Sequence, residues 1–593
     1  MLGKGGFSPS KRNECYLATK TTQKRLLTYH VFCDQTAVKP NYPFLIFEEQ
    51  TWTYAQFLAC IDKVGNWLMH DLGVGVGEMV AIDRGNSPEY LMLWFALDAI
   101  GARISFINCT LTGAGLLHCV RICGAHHLIA SAEILDNIEP SRPSIEALGI
   151  QIHYFDPQFF CSLTNSAPIS ESRRESITAD SGRGLIYTSG TTGLPNAVIM
   201  TTVRELLVGH ATAKYLGLRP NDRFFTCLPV YHGSAHALCV TPPQVVMSGA
   251  TIIQYVGELC RYLLNAPPNE FERKHCVRIV WGNGMRNDVW EPFRQRFGIS
   301  VINELYGAAD GVGTISNRNC GPFTAGAGGL RGAIWEWAYG DHEVRVRTDV
   351  DTGKIIRDAE GFAVRCGPGE PRHMLHRLYP ETLSGVLRYY NNEEATVYRI
   401  ITDVFRKGDM WFESGDMMKK DHDGRVYFVN RLGDTFRWKS EKVSTNEVSD
   451  TLSKYPHITE ANVYGVSIPG YDGRAGAACI VMANGVTEAI FDFPALAQYV
   501  RAMLPGYAVL LFLRVTSELE YTGNMKLRKG RLKRVGIDPD LVTGEDKVYW
   551  LPPSSSSYLP FEGEDWEVIR QKKVRLTLGC FGREVGLKRK WCS

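Results

Sequence analysis

Between Tyr54 and Ala130 the apolar residues repeatedly change their period, and this alternation constrains the fold more than any other feature. Tyr54, Phe57, Leu58, Ile61, Val64 and Leu68 recur at helical spacing. The Gly-rich run Leu72–Gly77 stops that helix, and Met79–Ile82 reads as a buried strand. Glu89–Ile100 is again helix-like and leads to the apolar run Ile104–Ile107. Leu116–Ile122 then precedes Leu128–Ala130 in the same way. Helices alternating with short β-rich runs predict βαβ units, a mostly parallel sheet and an α/β fold class. Val277–Trp281 and Ser300–Ile302 read as two further strands ending at loops. Ligands in such sheets gather beyond the carboxyl ends of strands, which points to loops at Thr188, Gly282 and Glu304. A chain of 593 residues exceeds one core, so two or more domains are expected.

Composition removes several function classes. A formal net charge of +2 gives no bulk attraction to nucleic acid. Tyr90–Ile107 is the best candidate for a membrane span, but Asp98 and Arg103 interrupt it. It also falls short of the ~20 apolar residues that a span needs. Met1–Arg12 is polar and Gly-rich, without the apolar core of a signal peptide. The expected location is intracellular: cytoplasmic, or peripheral on an organelle membrane such as the peroxisome or endoplasmic reticulum. The 16 cysteines are mostly scattered, which predicts free thiols. Cys119 and Cys123, with His118, His126 and His127 nearby, raise a metal site, yet their spacing matches no familiar zinc pattern. Leu116–Ile122 reads more simply as a buried helix.

Leu185-Ile-Tyr-Thr-Ser-Gly-Thr-Thr-Gly-Leu-Pro195 is the strongest chemical signal. An apolar run opens into Thr188, Ser189, Gly190, Thr191, Thr192 and Gly193, all Gly, Ser or Thr. Hydroxyls and exposed N–H groups suit a phosphate, and glycine lets the backbone approach closely. This is not the Walker pattern, which requires Gly, four residues, then Gly-Lys-Ser/Thr. Ser/Thr/Gly runs also serve as linkers, but β-type runs flank this one at Leu185–Tyr187 and Ala197–Met200.

The segment resembles the phosphate loop of the adenylate-forming, AMP-binding superfamily. Gln254–Leu264, Gly282-Asn-Gly-Met-Arg286 and Tyr427–Lys439 resemble the branch of fatty acid transport proteins and very-long-chain acyl-CoA synthetases. The resemblance runs from about Thr51 to about Leu576. It implies a large N-terminal domain (1–432) of mostly parallel sheets wrapped by helices. A small mobile α+β C-terminal domain (433–576) and an unassigned tail (577–593) follow. Ala461–Val466 and Ala477–Met482 read as strands of the small domain, and Phe493–Met503 as its helix.

The implied reaction joins a carboxylic acid to ATP as acyl-AMP and then transfers the acyl group to coenzyme A, with Mg²⁺ as cofactor. Thr188–Gly193 would hold phosphates. Gly282, Asn283 and Gly284 would line the adenine and acyl-adenylate pocket, although a lone Gly-Asn-Gly is an ordinary turn. In Glu304-Leu-Tyr-Gly-Ala-Ala-Asp310, Tyr306 would stack near adenine, Gly307 and Ala308 would border it, and Asp310 would bind Mg²⁺. Asp416 of Trp411–Asp416 would accept both ribose hydroxyls. Arg431 would contact ribose or phosphate, and Asp434 would be the hinge. His232 would orient the carboxylate, while a lone His is as often structural. Lys526 would stabilise the transition state as a point charge. Its neighbours Arg528, Lys529, Arg531, Lys533 and Arg534 read as a solvated basic face.

Several positions depart from the family pattern: Asn196 for Lys, Ala309 for Thr, Asp310 for Glu, and Asn430 for Asp. Asn524, Met525 and Leu510 also differ. They motivate a second reading, a fatty-acid transport or lipid-binding protein with weakened or lost ligase activity. A third reading, transfer to a carrier protein, has no carrier domain to support it. The acid is expected to be a long or very-long-chain fatty acid, or a specialised hydrophobic acid of secondary metabolism. Peripheral membrane contact is compatible with this reading, and the sequence leaves the oligomeric state open.

Overall fold

The computed structural model describes residues 11–188, 195–231, 249–307, 311–349, 354–367, 369–370, 372–379, 389–431, 435–438, 441–469, 471, 473–521, 527–542, 544–553 and 555–571. The predicted βαβ pattern forms the first sheet. Its strands lie in the order Gln151–Phe155, His127–Ser131, Met79–Asp83, Arg103–Ile107, Gly182–Thr188, Asn196–Thr201. All neighbours are parallel except the last pair. The helix Pro88–Ala99 crosses between Met79–Asp83 and Arg103–Ile107, the first two of these strands in chain order, and is buried at every position. Ser87 caps it by accepting from the Tyr90 N–H, and Pro88 opens it, both favourable at a helix start. Asp98 and Arg103, which interrupt the apolar run, both find partners. Asp98 pairs with buried Arg183 at 3.1 Å, and Arg103 donates to the Gly77 carbonyl at 2.6 Å. Among the described residues no helix is long and apolar enough to cross a membrane.

The second sheet runs Thr314–Asn319, Val301–Gly307, Ile279–Asn283, Ile252–Val256, Phe224–Phe225, parallel except at the Thr314–Asn319 edge. A third sheet was not anticipated. Gly329–Leu330, Arg425–Arg431, Met410–Lys420, Arg372–Leu378 and Glu343–Val346 lie side by side, with Ile400–Thr402 against Met410–Lys420. All its pairs are antiparallel. The expectation of mostly parallel sheets therefore holds for the first two only. Sequence periodicity cannot distinguish parallel from antiparallel partners when both faces of a strand are covered.

Residues from Phe436 to Ile569 pack a core of their own around the sheet Ile458–Ser467, Arg474–Met482, Phe512–Val515, Lys547–Trp550, Leu559–Pro560. The helices Thr445–Leu452 and Phe493–Met503 contribute Val448, Leu452, Leu496 and Val500 to it.

Candidate active site

Val301–Gly307 is the strand that organises the site. It carries Glu304 and Tyr306 two residues apart, so both side chains leave the same face. Glu304 reaches the neighbouring strand. Its Oε1 accepts from the Gly284 N–H at 2.5 Å and its Oε2 from the Tyr255 hydroxyl at 2.5 Å. Burial pushes this carboxyl up to about 8, against the pull of Tyr255 and the N–H groups of Gly284 and Met285. The glycines make the turn fit. A Cβ on Gly282 would collide with the Tyr255 carbonyl, one on Gly257 would collide with the Gly284 carbonyl, and Gly284 has φ +78°. Glu304 was not among the candidate site residues, although its motif was. The available signal was the one charged residue in an otherwise uncharged strand. Its position also corrects the loop expected there: Glu304 to Gly307 are strand, not loop.

Tyr306 turns to the third sheet, where its hydroxyl donates to Asp416 Oδ2 at 2.6 Å. Its ring stacks near Phe428, with centroids 6.3 Å apart. Asp416 faces Arg431 across the strand pair, with Arg431 Nε 3.4 Å from Oδ1. The Asp416 side chain is 7% exposed and that of Arg431 52%, so the pair stands at a rim. Burial and the adjacent Asp416 carboxylate raise the Tyr306 hydroxyl, which keeps it a donor. The backbone around Asp416 is fixed as well. Ser414 donates to the Met374 carbonyl at 2.7 Å and accepts from the Asp416 N–H at 3.1 Å. Gly415, at φ +73°, donates its N–H to His373 Nε2 at 3.1 Å. Burial first, then Arg399, lowers His373 to about 4, so it is a neutral acceptor.

Thr188 and Asn196 face each other at the open end of an antiparallel pair, so the Ser/Thr/Gly segment joins two paired strands. Thr188 Oγ1 donates to the Asn196 carbonyl at 3.5 Å. Asn196, in the position of the customary lysine, accepts from Asn392 Nδ2 at 3.2 Å. Tyr390 donates its N–H to the Ala197 carbonyl at 2.7 Å and braces the same strand.

Ser189, Gly190, Thr191, Thr192, Gly193, His232, Ala308, Asp310, Asp434 and Lys526 lie outside the described residues. Their flanks are well tied. Asn86 brackets the segment before His232, donating to the Leu228 carbonyl and accepting from the Val230 N–H, each at 2.8 Å. Tyr521 and Leu527, on either side of the Lys526 segment, form a bridge, and Tyr521 donates to Glu460 Oε2 at 2.7 Å. The basic stretch is more structural than expected. Lys529 donates to Thr445 Oγ1 at 2.8 Å, and Arg531 pairs with Glu520 at 2.7 Å.

The residues raised as a metal site are engaged elsewhere. Cys119 and Cys123 are buried in the core, His118 bonds the Pro195 carbonyl, and His127 bonds His153. Among the described residues no group of three or more His, Cys, Asp or Glu is placed to hold a metal.

The AMP-binding enzyme model matches residues 32–361, and the model of the AMP-binding enzyme C-terminal domain matches 447–526. The chain belongs to the AMP-binding enzyme family. Within it, the chain falls in the branch of the fatty acid transport proteins. It is 54% identical to the very long-chain fatty acid transport protein of Cochliobolus heterostrophus, over 96% of this chain and 92% of that one. It is 33% identical to the medium/long-chain-fatty-acid–CoA ligase of Mycobacterium tuberculosis, over 90% of this chain and 89% of that one. Among solved structures, an anthranilate CoA ligase in complex with anthranoyl-AMP superposes with a TM-score of 0.67 at 21% identity, covering 85% of this chain and 96% of that one. A benzoate CoA ligase from Burkholderia xenovorans gives 0.68 at 18% identity, covering 85% and 99%. These two share the fold. This AMP-binding enzyme is an AMP-forming acyl-CoA synthetase that uses ATP with Mg²⁺ and CoA.

Proposed function

We propose that the acid is a long or very-long-chain fatty acid, activated as acyl-AMP and then transferred to CoA. The observation that carries the nucleotide half is the Tyr306–Asp416–Arg431 cluster, joined through one strand to the turn that Glu304 holds. A rim carboxylate suits two ribose hydroxyls, and Tyr306 offers a ring face beside it. The acid class is supported by the names of the relatives, a very long-chain fatty acid transport protein and a medium/long-chain-fatty-acid–CoA ligase.

In the first step a carboxylate oxygen attacks the α-phosphorus of ATP and the bond to pyrophosphate breaks. In the second the CoA sulfur attacks the acyl carbon, AMP leaves with the bonding pair, and the thiol proton is released. Lys526 supplies a point charge that stabilises the transition state of the first step. Thr188–Gly193 hold phosphates, Gly282–Gly284 and Tyr306–Ala308 enclose adenine, and His232 orients the carboxylate. Asp310 would hold Mg²⁺, which supplies charge neutralisation on the phosphates when bound. Residues 1–432 and 433–576 form the two domains, with Asp434 as the hinge between them. The protein works inside the cell, in the cytoplasm or against an organelle membrane.

AMP release from ATP, Mg²⁺ and CoA across acids of graded chain length tests the reading. Acid- and CoA-dependent AMP that rises with chain length is expected. AMP with aromatic or short acids only would refute the substrate class. Lys526→Ala should slow adenylation on the order of 10²–10³-fold while ATP still binds.

A further inference from the structure

The turn that Glu304 holds ends in Arg286, and Arg286 leaves the large part of the molecule altogether. Its Nη1 lies 3.0 Å from Asp450 Oδ1 and donates to Ser449 Oγ at 3.1 Å, both on the helix Thr445–Leu452. Ser449 is itself oriented, donating to the Ala461 carbonyl at 2.7 Å. Beside this contact, Arg261 forms a two-pronged pair with Asp288, at 2.8 and 3.3 Å. Asp450 therefore faces Arg286, Asp288, Arg261 and Lys454, and burial raises its carboxyl against the pull of the cations. One residue past Arg261, Tyr262 meets Tyr521 edge-on, with centroids 6.3 Å apart. Tyr521 opens the bridge that flanks Lys526. Two independent contacts thus bring the C-terminal part to one corner, formed by the helix Gly257–Asn265 and the turn after Gly284.

We propose that Arg286 is a positioning residue that docks the C-terminal domain, through Asp450 and Ser449, in the orientation that performs adenylation. The proposal rests on the role given to Lys526 above. Arg286 is two residues from Gly284, so the turn that encloses the nucleotide also grips the domain that brings the lysine. The side chains of Arg286 and Asp450 remain 22% and 35% exposed. Water can take over both charges when the domain leaves, so the contact is reversible.

The test uses the full-length protein and separates the two half-reactions. Acid-dependent ATP–pyrophosphate exchange reads adenylation. Consumption of pre-formed acyl-AMP by CoA reads thioester formation. Arg286→Ala and Asp450→Asn should each slow exchange about fivefold, leave thioester formation unchanged or faster, and leave the melting temperature in place. The reversed pair Arg286→Asp with Asp450→Arg should bring exchange back to within about twofold of the native rate. Equal loss in both half-reactions, selective loss of thioester formation, or failure of the reversed pair overturns the proposal. Lys526→Ala is run alongside. If that variant keeps full exchange, the role of the lysine fails, whatever Arg286 does.

Discussion

The turn at Gly282–Gly284 and the strands around Asp416 each depend on one carboxylate, and the two are held in different ways. Glu304 is buried, accepts from protein donors on both oxygens, and is raised to about 8 by desolvation. It shapes the turn and has little to offer a ligand. Asp416 sits beside a half-exposed arginine and a tyrosine hydroxyl. Asp416 is no less buried than Glu304, but its partner Arg431 is half-exposed and opens the pair to solvent. A carboxylate that organises the protein is distinguished from one that meets substrate by which atoms hold it and by what lies next to it.

The largest test of this contrast is a pH profile. The folded chain holds the Glu304 proton up to about pH 8, whereas an unfolded chain releases it near the ordinary 4.5. Stability from this group is therefore full below about pH 4.5 and is lost as pH rises through about 8, a loss on the order of a few kcal/mol. Glu304→Gln cannot ionise and should flatten that part of the urea-midpoint profile between pH 5 and 8. Identical slopes for the two proteins would show that Glu304 does not titrate in this range. Asp416→Ala comes next. Losing a charged acceptor should raise the KM for ATP about ten- to thirtyfold, with the KM for the acid little changed. If both constants rose together, Asp416 would belong to the scaffold, like Glu304. The smallest effect is expected at Asn196→Lys, which adds the customary cation but breaks the bond to Asn392. The KM for ATP should fall about two- to threefold, and an increase would assign Asn196 to bracing the strand.

Much of the fold was legible. The helix Phe493–Met503 and the strands near Met79, Ile104 and Leu128 appear where local pattern placed them. Their signals span a few residues, and the apolar period survives burial. The third sheet was not legible, because its antiparallel pairing joins Gly329–Leu330 to a strand nearly a hundred residues later. Within the site, the resemblance to the family's motifs singled out Tyr306, Asp416 and Arg431, and the structure brings these three together. Glu304 was passed over because its work depends on Tyr255 and Gly284, which the motif does not contain.

The sequence alone determined the alternation of helices and strands, the Ser/Thr/Gly segment and the membership that its motifs announce. Those properties reside in neighbouring residues and in residue type. Only the tertiary structure decided that Asp98 pairs with Arg183, that Tyr306 donates to Asp416, and that Arg286 reaches Asp450. These partners lie 85, 110 and 164 residues apart. No local rule selects one distant charge over another. Burial makes an unpaired charge costly, so the packed core fixes which partners meet.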